Sequence, residues 1–148
     1  MEIKDLEKIA FGVRQKIEDQ LIKTEYLKPE LTHFPESSCE VSTQILGLYL
    51  KIKGVENVVA CRGKRTNPNK SGEQTHVWLI VNDNIIMDIT SDQFSDSSSK
   101  VFVGENSKFH STFLSVEQRK ISEEALARRA GMGYEEFFQA VIKNLEAA

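Results

Sequence analysis

Three polar residues in this chain have the types and order that nucleophilic chemistry needs: Cys39, His76 and Asp88. A cysteine attacks as the thiolate, and its free thiol is mostly protonated at neutral pH. A helix N-terminus and a nearby histidine both favour the thiolate. A nucleophile of this kind then needs a base within reach and a third group to orient that base. Cys39 lies in "FPESSCEVSTQILGLYLKIKG", where a polar loop turns into an apolar run with helical spacing. Ser37 and Ser38 are suitable N-caps for a helix beginning at or just before Cys39, and Gly54 is a suitable terminator.

The base and the acid come from "THVWLIVNDNIIMDIT", residues 75–90, which reads as a β-hairpin around Asn82-Asp83-Asn84. Side chains alternate along a strand, so His76, Trp78 and Ile80 share a face, as do Ile86, Asp88 and Thr90. A two-residue loop would put His76 and Asp88 on opposite faces. A three-residue loop at 82–84 sets Trp78 opposite Asp88 and makes His76 its diagonal neighbour, at roughly 7–8 Å between backbones. The same loop moved one residue earlier would oppose them directly. A carboxylate in a run as apolar as "IIMDIT" also requires a partner, because burying it unpaired costs several kcal/mol. An imidazole held by that carboxylate has its tautomer fixed and its charged form stabilised.

A cysteine at a helix start, a glycine some fifteen residues on, a strand ending in "RG", then "HVW" and "DIT" on successive strands together resemble the transglutaminase-like branch of the papain fold. The likeness rests on Cys39, Gly54, Gly63, His76-Val77-Trp78, Val81 and Asp88-Ile89-Thr90, and covers about residues 37–94. It implies an α+β fold with N-terminal helices packed on a small antiparallel sheet. It also implies that Cys39 is the nucleophile, His76 the base and Asp88 the orienting acid of a catalytic triad acting through an acyl-thioester. The aromatic residue often found beside the family's nucleophile is missing, since Ser38 and Glu40 flank Cys39.

The expected activity is therefore thiol-dependent acyl transfer, with hydrolysis of a peptide or amide bond as the default. The substrate would be a peptide, a protein or an amide-containing small molecule. Transglutaminase, deamidase and N-acyltransferase chemistry use the same three groups. A non-catalytic partner-binding module on the same fold is the competing reading. A purely structural role for all three residues is another, with Cys39 a small core side chain and Asp88 capping a strand end. The 33–38 loop or Gln93 is the expected source of a second oxyanion donor. Cys61 is expected to be inert, and Trp78 to pack in the core or wall the site. His33 is expected at the surface, and His110, in irregular polar sequence, receives no role.

The remaining sequence must position these groups. Apolar residues at Ile3, Leu6, Ile9, Ala10, Val13, Ile17 and Leu21 predict a helix over 2–23, with Lys4, Asp5, Lys8, Arg14 and Glu18 facing water. Residues 24–38 read as a loop, 55–63 as a strand, 64–74 as an exposed loop and "VFV" (101–103) as a short edge strand. "SVEQ" has capping-box spacing, so a C-terminal helical pair is expected over 116–146, as helices 116–130 and 134–146 divided by Gly131 and Gly133.

The chain has 148 residues, 40% of them hydrophobic and 28% charged, with net charge −3. That length suits a single domain over 1–148 with a core of its own. The slightly acidic balance supplies no basic footprint for nucleic acid or an anionic membrane. No apolar run approaches the ~20 residues of a bilayer span, and "MEIKDLEKIA" lacks the apolar stretch of an export signal. Reduced thiols and a cytoplasmic location are expected for the two cysteines. Without paired CxxC ligands neither a structural zinc site nor any other cofactor is expected.

Overall fold

The computed structural model describes residues 1–23, 39–97, 99–122, 124 and 134–147. The expected loop 24–38, with His33 and the caps Ser37 and Ser38, lies outside these residues, as do Gly131 and Gly133. The architecture is α+β. Among the described residues there are three α-helices, α1 (Ile3–Lys23), α2 (Cys39–Ile52) and α3 (Tyr134–Ala147). They accompany a five-stranded antiparallel sheet of β1 (Val58–Thr66), β2 (Glu73–Val81), β3 (Ile85–Asp88), β4 (Phe102–Gly104) and β5 (Leu114–Lys120). The strand order is β4-β3-β2-β1-β5. Among the described residues no helix is long and apolar enough to cross a membrane.

Strand alternation divides the sheet into two differently covered faces. Val58, Ala60, Val77, Leu79, Val81, Ile85 and Met87 join the helices in the main core. The helices contribute Leu6, Val13 and Ile17 from α1, Ile45, Leu46 and Leu50 from α2, and Val141 from α3. Cys61 and Trp78 face the other way, into a second cluster with Phe94 and Phe113. Both faces of the hairpin are therefore buried, which is why its two strands read as nearly continuous apolar runs.

The hairpin loop has the odd length on which the site depends. Val81 pairs with Ile85, Ile80 with Ile86 and Leu79 with Met87, leaving 82–84 as the loop. Asn82 and Asp83 take positive φ (52° and 71°), conformations that short polar side chains tolerate. At the end of α2, Gly54 has φ +89°, and the Gly54 and Val55 amides bond Lys51 O and Leu50 O, closing the helix in a Schellman motif.

Three expectations are corrected. The expected helix 116–130 is not formed at its start, because Leu114–Lys120 is the edge strand β5, paired with β1 from Val59↔Lys120 to Lys64↔Leu114. One capping box contributes about 1 kcal/mol. A ladder of six residue pairs instead satisfies the backbone groups that β1 would otherwise leave open. Ser115 contacts the Cys61 thiol (3.3 Å) rather than capping a helix. The expected loop 64–74 contracts to 67–72, because Lys64, Arg65 and Thr66 still pair with Thr75, Gln74 and Glu73. Arg14, expected to face water, is buried. Its guanidinium holds both oxygens of Asp92 (2.9 and 3.0 Å), Ile89 O (2.7 Å) and Glu18 (2.7 Å). The chain leaving Asp88 is thereby pinned to α1.

Candidate functional site

His76 and Asp88 meet in the second cluster. His76 Nε2 lies 2.6 Å from Asp88 Oδ2. The observed register, continued by one pair, sets Asp88 opposite Trp78, so the contact is diagonal and the two side chains close the gap. Both residues are buried. Rings from Trp78, Phe94 and Phe113 surround the imidazole, the nearest being Phe94 at 4.8 Å between centroids in an edge arrangement.

Asp88 accepts two further hydrogen bonds. Thr90 N–H donates to Oδ1 (2.9 Å), and His110 Nε2 lies 2.6 Å from Oδ2, the same oxygen that His76 contacts. His110 stands at the start of a 3-10 turn, His110–Thr112, with Nδ1 2.5 Å from Ser107 Oγ. Nothing in the local sequence marks His110 as a partner, because the pattern around it is irregular. The available signal was compositional: one of three histidines in a chain with a carboxylate needing partners.

Cys39 opens α2 and is half-buried. The Thr43 hydroxyl, one turn further on, donates to Val77 O (3.2 Å) and fastens α2 to β2 next to His76. Cys39 is near enough to His76 to raise the pKa of its imidazole. His76 Nδ1 is buried with no hydrogen-bond partner among the described residues. Since Nε2 is committed to Asp88, Nδ1 is the nitrogen left for the thiol. Loose nucleophile–base contacts of this kind are common in the absence of substrate. The carboxylate of Glu40, the residue after Cys39, is paired with Arg119 of β5 (2.6 Å).

The electrostatics follow from this geometry. Burial opposes the charged form of His76, but the Asp88 carboxylate and then the Cys39 thiol outweigh it and push the imidazole up to about 9. Burial also opposes ionisation of Asp88. The charge on His76 and the hydrogen bonds from His110 and His76 overcome it and hold the carboxyl well below its ordinary range. Each group is thus favoured in its charged form by the other.

Arg65 closes the aromatic side of the cluster. Its guanidinium lies 4.4 Å from the Phe113 ring centre, 5.2 Å from Phe109 and 5.4 Å from Phe94. It bonds both oxygens of Asp96 (2.7 and 2.8 Å), with Thr112 Oγ1 and Gln74 Oε1 each at 2.8 Å. The two segments on either side of β4 are thereby tied to β1. Gln93 donates its side-chain amide to Thr90 O (3.0 Å), which occupies the group considered for an oxyanion donor. Cys61 is buried, and burial raises its thiol pKa despite the Ser115 contact.

His76, Asp88 and His110 also present three possible metal-ligand atoms within 4.8 Å of one another. Ligand atoms around a tetrahedral zinc at ~2.0–2.2 Å stand about 3.3 Å apart. The two 2.6 Å contacts are hydrogen-bond lengths, so the cluster would have to open to admit an ion.

Fold and site together define an α+β protein whose helix-borne thiol adjoins a buried His–Asp–His cluster. Comparison with protein-family models, with curated protein sequences and with solved structures found no match to the chain.

Proposed function

We propose that the chain is a cysteine-dependent acyl-transfer enzyme of the transglutaminase-like, papain-fold type, hydrolysing a peptide or amide bond. The observation that supports this most directly is one imidazole between two partners. His76 has Asp88 Oδ2 at 2.6 Å on Nε2, and the Cys39 thiol acts on the same ring. Of the three residues, Cys39 is the one not buried, so substrate would approach there.

In this reading His76 takes the thiol proton, and the Cys39 sulfur attacks the carbonyl carbon to form a C–S bond. His76, kept cationic by Asp88, returns the proton to the leaving nitrogen as the C–N bond breaks, and an acyl-thioester remains. Water then attacks the thioester and gives its proton to His76. The C–S bond breaks, the carboxylic acid leaves and the thiol is restored. The backbone N–H of Cys39, in the first turn of α2, is a candidate donor to the developing oxyanion.

The test is mass spectrometry after exposure to iodoacetamide and to electrophilic amide or ester probes. Cys39 should be labelled well before Cys61, and His76→Ala should abolish the difference. Equal rates at the two cysteines would sink the proposal.

A further inference from the structure

We infer that His110 is a positioning residue for the proposed triad: together with Ser107 it locks Asp88 in the orientation that aligns His76 with Cys39. The inference rests on the acyl-transfer reading and adds two residues to it.

Hydrogen-bond accounting carries the argument. The buried carboxylate of Asp88 receives Thr90 N–H on Oδ1 and two imidazole Nε2 atoms on Oδ2, the latter both at 2.6 Å. A carboxylate only accepts, so each Nε2 must carry its proton. His110 Nδ1 then accepts the Ser107 hydroxyl proton across 2.5 Å. The same Ser107 oxygen accepts the His110 backbone N–H (3.0 Å), so its hydroxyl hydrogen is free to point at the ring. Every polar atom from Ser107 to Asp88 is satisfied in a single proton arrangement. That arrangement leaves Nδ1 as the His76 ring nitrogen not engaged by Asp88.

Packing makes the position of His110 specific. Its ring lies 4.9 Å from Trp78, 5.0 Å from Phe109 and 5.5 Å from Phe102, all measured between ring centres. Without His110, Oδ2 would keep one donor beside a cavity the size of an imidazole. Asp88 could then turn about its side-chain bonds. His76, aligned through that oxygen, would turn with it. The charged or titratable groups facing His76 are Asp88 from β3, Cys39 from α2 and His110 from its turn. The other ring neighbours among the described residues, Trp78, Phe94, Phe109 and Phe113, are uncharged aromatic side chains.

Two readouts test the inference on the full chain. Proton NMR of protein carrying labelled histidine should show two far-downfield imidazole N–H resonances, and His110→Gln should leave one. The rate of iodoacetamide reaction at Cys39 should fall roughly tenfold in His110→Ala, the low end for losing an orienting partner of a functional imidazole. Its pH profile should be displaced. His110→Gln, which can place an amide N–H on Asp88, should recover most of the rate. If His110→Ala does not fold, His110→Gln and Ser107→Ala carry the comparison, Ser107→Ala slowing Cys39 with the His110 ring retained. Folded variants with wild-type rate and profile overturn the role of His110. Stoichiometric zinc binding that removes both downfield resonances overturns it in favour of a metal site. Cys39 reacting no faster than Cys61 in the unaltered protein overturns the acyl-transfer reading itself, a result distinguishable from an unchanged His110 variant.

Discussion

His76 Nε2 and Asp88 Oδ2 are 2.6 Å apart although the hairpin ladder does not pair the two residues. Asp88 ends β3 and β2 continues beyond it to Glu73, so the contact runs diagonally from a strand end to a residue whose β3 flank is unpaired. Asp88→Asn keeps the shape of this contact and removes its logic. An amide cannot offer oxygen both to Thr90 N–H and to two imidazole N–H groups. At least one buried donor would face another donor, at a cost of about 1–3 kcal/mol. Thermal melting should show that loss, and alkylation of Cys39 should slow in the same variant.

The His76–Asp88 pair should make stability depend on pH in a definite direction. His76 is raised from its ordinary 6.5 to about 9, so its contribution is complete below 6.5 and is lost as pH rises through about 9. Asp88 is depressed from its ordinary 3.8, so its contribution is present above 3.8 and is lost as pH falls further. The difference in melting temperature between wild type and Asp88→Asn should be largest between about pH 4 and 6.5 and should narrow toward pH 9. A difference that stays constant across that range would contradict the ion pair.

Gly47 and Gly63 are set by close approach. A Cβ at Gly47 would meet three Ile121 carbons at 2.7, 2.8 and 3.0 Å, where the chain leaving β5 crosses α2. Lys51 Nζ holds the same crossing through Ile121 O (2.7 Å). At Gly63 a Cβ would stand 2.7 Å from Trp78 and 2.8 Å from Phe113 Cβ. Either Gly→Ala should cost about 1–3 kcal/mol by overpacking. Gly63→Ala alone should also slow Cys39 alkylation, because Trp78 and Phe113 both touch the His76 ring.

Arg65 and Asp96 should respond unequally to substitution. The Arg65 side chain is 5% exposed and that of Asp96 36%. Asp96→Ala strands a buried guanidinium, whereas Arg65→Met leaves a carboxylate that water can reach. Asp96→Ala should cost about 1–3 kcal/mol and Arg65→Met less on the ionic side, measured by denaturant unfolding. Arg65→Lys should not restore wild-type stability, because an ammonium cannot bond both Asp96 oxygens as a planar fork while lying against three rings.

Much of the scaffold is legible in local patterns because the signals there are strong and agree. The apolar stripe of α1, the Gly54 stop after α2 and the hairpin at 82–84 each follow from rules operating within a few residues. The odd loop length determines that His76 and Asp88 share a face; the sequence reduces the question to that length, and the observed register sets it at three residues. β5 was misread because a capping signal is local, while the reason for the strand is the open edge of β1, some fifty residues earlier. Arg14 was misread for a related cause, since helical periodicity does not know that Asp92 and Ile89 O lie across the interface.

By itself, then, the sequence carried the order Cys39, His76, Asp88 and the elements that bear them, and it reduced the shared face of the last two to a loop length that the folded register sets. Tertiary structure decided what only contacts distant along the chain can decide. It brought the Cys39 thiol to the His76 ring and put Arg65 among the aromatic rings. It also placed His110, from an unpatterned stretch, on the same oxygen of Asp88. The physical reason is that a buried carboxylate must be satisfied by whatever donors the folded chain brings to it. Periodicity specifies faces, whereas burial selects partners.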